Sequence, residues 1–225
     1  MATKNPPQAQ LVQTPHSLDI RPSTAIVAAA AGDGLPRYVT RDQARQIINA
    51  AETIRHRLLL EALWQSGGRI SEVLRLRPCD VDQDEGALRL VNLKQRKRAL
   101  RTKLVYVSPE LVGDLKRFAT DARIPMHGFY FCSRQSGLKP MSRGNAWLII
   151  NAAARRAGVC IITSDGPSFA TARDFRHGAA VHQIRQGVPV SEVQQQLGHA
   201  RLDTTARYLK LANPERRLIA DRVDW

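Results

Sequence analysis

Three stretches late in the 225-residue chain constrain it most: Arg173-Asp174-Phe175-Arg176-His177, Leu197-Gly198-His199 and Thr204-Thr205-Ala206-Arg207-Tyr208. The first lies in a helical pattern expected from near Thr171 to just before Gly187, with Phe175, Ala179 and Val181 or His182 toward the core and Arg176 toward a site. The second ends a short helix that Ser191 is expected to cap, and Tyr208 follows His199 by nine residues. A fold that brings them together assembles a phenol nucleophile, a two-pronged guanidinium donor for phosphoryl oxygens and an imidazole that donates or carries a proton. Those are parts for phosphodiester chemistry, and they call for no metal. Taken singly, each has a plainer explanation, since a tyrosine on a helix is most often half-buried packing.

The order of these residues resembles the C-terminal catalytic boxes of the tyrosine recombinases, or phage integrase family, which includes the Xer and fimbrial inversion recombinases. Upstream, Gly68-Arg69-Ile70-Ser71-Glu72 follows a helix-ending glycine pair and opens a further apolar-periodic helix. An arginine at a helix start opposes the dipole and, if buried, needs an anion to offset it. A surface Arg69–Glu72 ion pair would satisfy the same spacing. The stretch looks like the family's first arginine box, and the resemblance then spans roughly residues 36–215. The family often has a larger residue at Gly68, a departure expected to affect local stiffness more than chemistry.

The resemblance implies roles. Tyr208 is the nucleophile, Arg69 and Arg176 brace the scissile phosphate, and His199 adds a donor. A catalytic lysine on a β-turn serves the leaving 5′ oxygen, with Lys94 the best positional match and Lys97 and Lys103 as alternatives. The family's His-x-x-Arg box carries Arg173 at the histidine position. A guanidinium donates hydrogen bonds well but stays protonated, so it is no general base. The proton then goes to another group, His177 or His199 being near in sequence, or Tyr208 ionises with help from the positive cluster, or the enzyme is slow.

Charge agrees with a polyanionic partner: 34 Lys and Arg against 20 Asp and Glu give +14, with a pI near 10.6. A basic surface of no function, or an anionic membrane surface, would give the same balance. No apolar run is long enough to span a bilayer, and the N-terminus has no hydrophobic signal core. Cys79, Cys132 and Cys160 are odd in number and widely spaced, which points to neither a disulfide framework nor a zinc site and fits a reducing cytoplasm.

In chain order, residues 1–35 carry Pro6, Pro7, Pro15, Pro22 and an Ala-rich run, and read as a flexible arm. The chain therefore looks like the catalytic-domain-only members of the family, which lack the N-terminal DNA-clamping domain. Thr40 and Gln43 form a capping-box pattern starting a helix to about 51, and a second helix is expected over 53–65. Strands are expected over 88–93 and 103–107, joined by a strongly basic turn in which Arg96, Lys97, Arg98 and Arg101 are candidate phosphate contacts. Ser108-Pro109 starts another helix, Phe129-Tyr130-Phe131 a short buried strand or turn. A helix over 142–157 carries Trp147, Leu148 and Ile150 as expected core, with Asn145, Arg155 and Arg156 as DNA candidates on charge alone. Residues 214–225 read as a tail helix too short to stand alone, which packs on its own domain or, as in the family, is donated to a neighbour.

The expected molecule is an α+β catalytic domain over 36–225, mainly helical with a small antiparallel sheet. It cuts and rejoins double-stranded DNA at specific sites through a 3′-phosphotyrosine, as a tetramer on two duplexes, with accessory DNA-bending proteins among its partners and no cofactor. The rivals are a type IB topoisomerase-like activity and a DNA-binding regulator with reduced catalysis.

Overall fold

The computed structural model describes residues 37–91, 102–133, 138–163, 166–198 and 208–209. The arm over 1–35, the basic turn with Lys94, Arg96, Lys97, Arg98 and Arg101, then His199, and the tail over 214–225 lie outside the described residues.

Helix α1 (Arg41–Asn49) begins at Thr40, whose hydroxyl accepts from the Gln43 backbone N–H while the Gln43 side chain accepts from the Thr40 N–H. Helix α2 (Ile54–Ser66) starts at Thr53 and ends at Gly67, whose φ of 55° is left-handed backbone that glycine adopts without a Cβ clash. It is the central element, with Leu58, Leu59, Leu60, Ala62 and Leu63 all buried. The helix expected after Arg69 is a single turn, α3 (Ile70–Val73), followed by a 3-10 turn at Pro78–Asp80.

Strands β1 (Val81–Asp82), β2 (Ala87–Val91) and β3 (Thr102–Tyr106) form an antiparallel meander in that order, with Leu88 opposite Val105 and Leu90 opposite Lys103. Strand parity does the sorting. Leu88, Leu90 and Val105 face the core while Arg89, Leu104 and Tyr106 face out, so Lys103 shares the inner side with Val105.

Helix α4 (Pro109–Asp121) is capped by Ser108, and α5 (Arg143–Arg156) by Ser142. On α5 the buried residues are Ala146, Ile150, Ala153 and Ala154, a spacing that leaves Trp147 and Leu148 outside at 51% and 58% exposure. The expectation that both belong to the core is therefore wrong: four consecutive apolar residues cannot share one helix face. A short hairpin, β4 (Ile161–Thr163) with β5 (Gly166–Ser168), follows. Phe129-Tyr130-Phe131 is a turn rather than a strand, with Tyr130 and Phe131 buried.

Helix α6 (Ala172–Arg185) packs along α2, with Trp64 edge-on to Phe175 and stacked on His182. Its start is a capping box of Thr171 and the buried Asp174, which also accepts from Arg37 at 2.8 Å. Gly178 lets the chain before α1 cross over α6, since a Cβ there would lie 2.0 Å from the Val39 carbonyl oxygen. Helix α7 (Val190–Leu197) starts at Pro189 and not at Ser191, which lies within it, and ends at Gly198 with φ 68°. Among the described residues two apolar clusters result: a main core beneath α1, α2, α4, α5 and the sheet, and a smaller one of Ala180, Val181, Ile184, Val193, Leu197 and Tyr208.

Candidate active site

The site forms where α2 and α7 end. Carbonyl oxygens at a helix C-terminus lack intrahelical donors and carry the negative end of the dipole, so cations gather there. Arg176, 8% exposed, donates from one terminal nitrogen to Gly67 O and from the other to Leu197 O, both at 2.8 Å. Arg69 donates to Gly198 O at 3.3 Å. Lys103 donates to Gln196 O at 2.8 Å and Leu197 O at 3.4 Å. Three cations from α6, the start of α3 and β3 therefore converge on the last turn of α7.

Glu72 is the carboxylate among them, 2% exposed, with one oxygen 2.7 Å from Arg69 and the other 3.3 Å from Lys103. The Arg69–Glu72 pair that the spacing allowed is thus real, but its carboxylate is buried in the cluster and its guanidinium only partly exposed. Burial alone would push the Glu72 carboxyl up, yet the Lys103 ammonium and the hydrogen bonds from Arg69 outweigh it and hold the group below its ordinary value. Burial pushes Lys103 down to about 8, only partly offset by Glu72, with Arg176 and Arg69 adding repulsion. Arg176 is lowered to about 10, by burial first and then by Arg69, against the pull of Glu72 and Tyr208. One carboxylate shared by three cations leaves the pocket electrostatically short of an anion, a situation that a phosphodiester relieves.

Tyr208 lies in the smaller apolar cluster, 2% exposed. Its hydroxyl is 2.7 Å from His177 Nδ1, the rings 5.6 Å apart between centroids. Arg69 and Arg176 therefore meet at the end of α7, with Tyr208 near enough to Arg176 to act on its charge. Arg173 is exposed on α6. Lys94 and His199 lie outside the described residues; Lys103, which the sequence left as an alternative, is in the cluster.

Of the candidate DNA contacts on α5, Arg155 stacks over Phe169 at 4.5 Å from the ring centroid. Arg156 donates to Ala50 O at 2.8 Å and lies 3.8 Å from Glu52, so both have roles within the fold. Glu72 was missed as a site residue, although its place three residues after Arg69 was a visible signal. The glycine at 68 also has a packing reason: a Cβ there would meet Leu90 at 2.8 Å and Val73 at 2.9 Å.

The sequence matches the phage integrase family model over residues 37–215. Among curated proteins it is 28% identical over 190 residues to tyrosine recombinase XerD of Neisseria meningitidis, covering 80% of this chain and 60% of that one. It is 25% identical over 177 residues to tyrosine recombinase XerA of Pyrococcus horikoshii, covering 79% and 58%. A resolvase of Escherichia coli is 26% identical over 222 residues, covering 89% and 84%. The chain thus spans about three fifths of the two Xer relatives. By shape it is similar to a crystal structure of XerA recombinase (TM-score 0.68, 24% identity, 86% of this chain and 68% of that one). It is also similar to XerH bound to a palindromic difH substrate (TM-score 0.67, 19% identity, 87% and 56%). From box order, converging arginines and a family match over most of its length, the chain belongs to the phage integrase family.

Proposed function

We propose that the chain is a site-specific DNA recombinase that breaks and rejoins strands through Tyr208. The observation that carries this reading is the anion-deficient cluster of Arg69, Arg176 and Lys103 around Glu72, with Tyr208 close enough to influence Arg176. A phosphodiester entering the cluster receives forked donors on its nonbridging oxygens, and Tyr208 Oη attacks phosphorus to form a 3′-phosphotyrosine while the 5′ oxygen departs. Fixed donors facing the charge that builds on phosphorus, in a largely dry pocket, are worth several kcal/mol. His199 supplies a further donor, and a lysine, Lys94 or Lys103, serves the leaving oxygen. Attack by the 5′ hydroxyl of a partner strand reverses the step, which conserves the bond energy without ATP or Mg²⁺. The full reaction engages two duplexes and four protomers, with Arg96, Lys97, Arg98, Arg101, Arg155 and Arg156 as the backbone-contacting set.

The test uses nicked duplexes tiling the DNA on either side of the coding gene. The unmodified chain should form a covalent adduct on a subset of them, and Tyr208→Phe should bind that subset with little change but form none. An undiminished adduct would overturn the assignment of Tyr208. Exposed Arg173 at the family's histidine position favours a second reading, a regulator that binds DNA without cutting it, and specific binding with no adduct from the unmodified chain would support that one.

A further inference from the structure

We infer that His177 is the group that takes the phenolic proton of Tyr208, a catalytic role that rests on the reading of Tyr208 as nucleophile. The starting fact is the 2.7 Å contact between His177 Nδ1 and Tyr208 Oη. A neutral imidazole with Nδ1 unprotonated accepts a hydrogen bond from Oη–H along the line on which the proton would transfer. The contact is already made, with Tyr208 packed in the apolar cluster of Ala180, Val181, Ile184, Val193 and Leu197, so the donor and acceptor are held together before any phosphate arrives.

Among the described residues, the other titratable groups near the site have different commitments. Glu72 is bonded to Arg69 and Lys103, and Asp174 to Thr171 and Arg37. Lys103 donates to two carbonyls, and Arg176 to two more. Arg173 carries a guanidinium, which is no general base, and it sits one helical turn before His177. Residues four apart share a helix face and differ by about 6 Å along the axis. Position 177 therefore offers a base on the same side of α6 that position 173 leaves without one.

The step balances as follows. The Oη–H bond breaks with its proton moving to Nδ1, giving an imidazolium. The Oη electron pair forms the bond to phosphorus, and the phosphorus–O5′ bond breaks with its pair going to O5′. That oxygen is then protonated by the lysine serving the leaving group. In the reverse step the imidazolium returns its proton to the departing phenolate. Next to His177, the adjoining guanidinium of Arg176 favours the phenolate without being able to accept its proton.

The experiment uses the full chain on the adduct-forming nicked duplexes, with His177→Ala and His177→Asn. Both should bind the duplex within about threefold of the unmodified chain, while adduct formation slows by about 100-fold or more, the usual contribution of a positioned base. Added imidazole should restore much of the His177→Ala rate. A fluorinated tyrosine at 208, whose more acidic phenol needs a base less, should narrow the gap between His177→Asn and the unmodified residue. Adduct formation in either variant at close to the unmodified rate would overturn the role. So would a loss that neither imidazole nor the acidic phenol reduces, since that would mark the contact as packing only. Were the unmodified chain to form no Tyr208-dependent adduct, the nucleophile reading would fail first and this role with it.

Discussion

Each arginine of the cluster uses its fork in a way that a lysine cannot copy. Arg176 spans two carbonyls contributed by different helices, and Arg69 reaches both Glu72 and Gly198. Arg69→Lys and Arg176→Lys should each slow adduct formation by about 100-fold or more while changing DNA affinity far less, as read by adduct assays beside gel shifts. Equal losses in both would place the arginine outside the reacting centre. Lys103 permits a prediction with a definite sign. Its proton leaves near pH 8 in the fold but near 10.5 in the open chain, so between those values the unfolded state binds more protons and stability rises with pH. This contribution is complete above 10.5 and lost as pH falls through 8. Lys103→Met should remove the part of that rise which begins near pH 8, measured by urea midpoints at pH 7.5 and 9.5. A full rise in the variant would mean that other groups cause it.

Among the elements, α6 has the most exacting surroundings, since it carries Arg176 and His177 and is crossed at Gly178 by the segment before α1. Gly178→Ala forces a Cβ against the Val39 carbonyl, and the overpacking should cost about 1–3 kcal/mol in urea unfolding. On α5 the two sides should behave oppositely. Ile150→Ala should cost about 2–5 kcal/mol, whereas Trp147→Ser should stay within about 0.5 kcal/mol because half of that side chain is already in solvent. A large loss at Trp147 would show that its face is covered in solution.

For the whole molecule, the charge of +14 should make affinity for the proposed DNA partner strongly dependent on salt. Replacing Arg96, Lys97, Arg98 and Arg101 by Gln should weaken binding across sequences and lower the log–log salt slope by about 3–4, by anisotropy titration. An unchanged slope would remove these four from the phosphate contacts. The tail belongs to the same scale. Deleting residues 214–225 should leave cleavage of a single site measurable but abolish two-duplex complexes in a gel-shift titration. Assembly at the level of the unmodified chain would mean that the tail is not the link between subunits.

The sequence alone determined what depends on neighbours a few residues apart. Thr40 with Gln43 announced one helix and the apolar spacing after Thr171 another, Gly67 and Gly198 ended theirs, and the paired strands around the basic turn were legible from alternation. Arg69, Arg176 and Tyr208 stood out as candidates through their order along the chain. The hairpin of β4 and β5 was missed because three-residue strands with Gly and Pro show no period, and Trp147 and Leu148 were misplaced because an apolar run does not reveal which face of a helix is buried. Only the tertiary structure decided which chemically equivalent groups become neighbours. The bond from Arg176 to Gly67 spans 109 positions, Lys103 to Gln196 spans 93, and His177 to Tyr208 spans 31. No local pattern encodes such pairings. They follow from the ends of α2 and α7 meeting beneath α6, where burial turns carbonyl dipoles and one carboxylate into the holders of three cations.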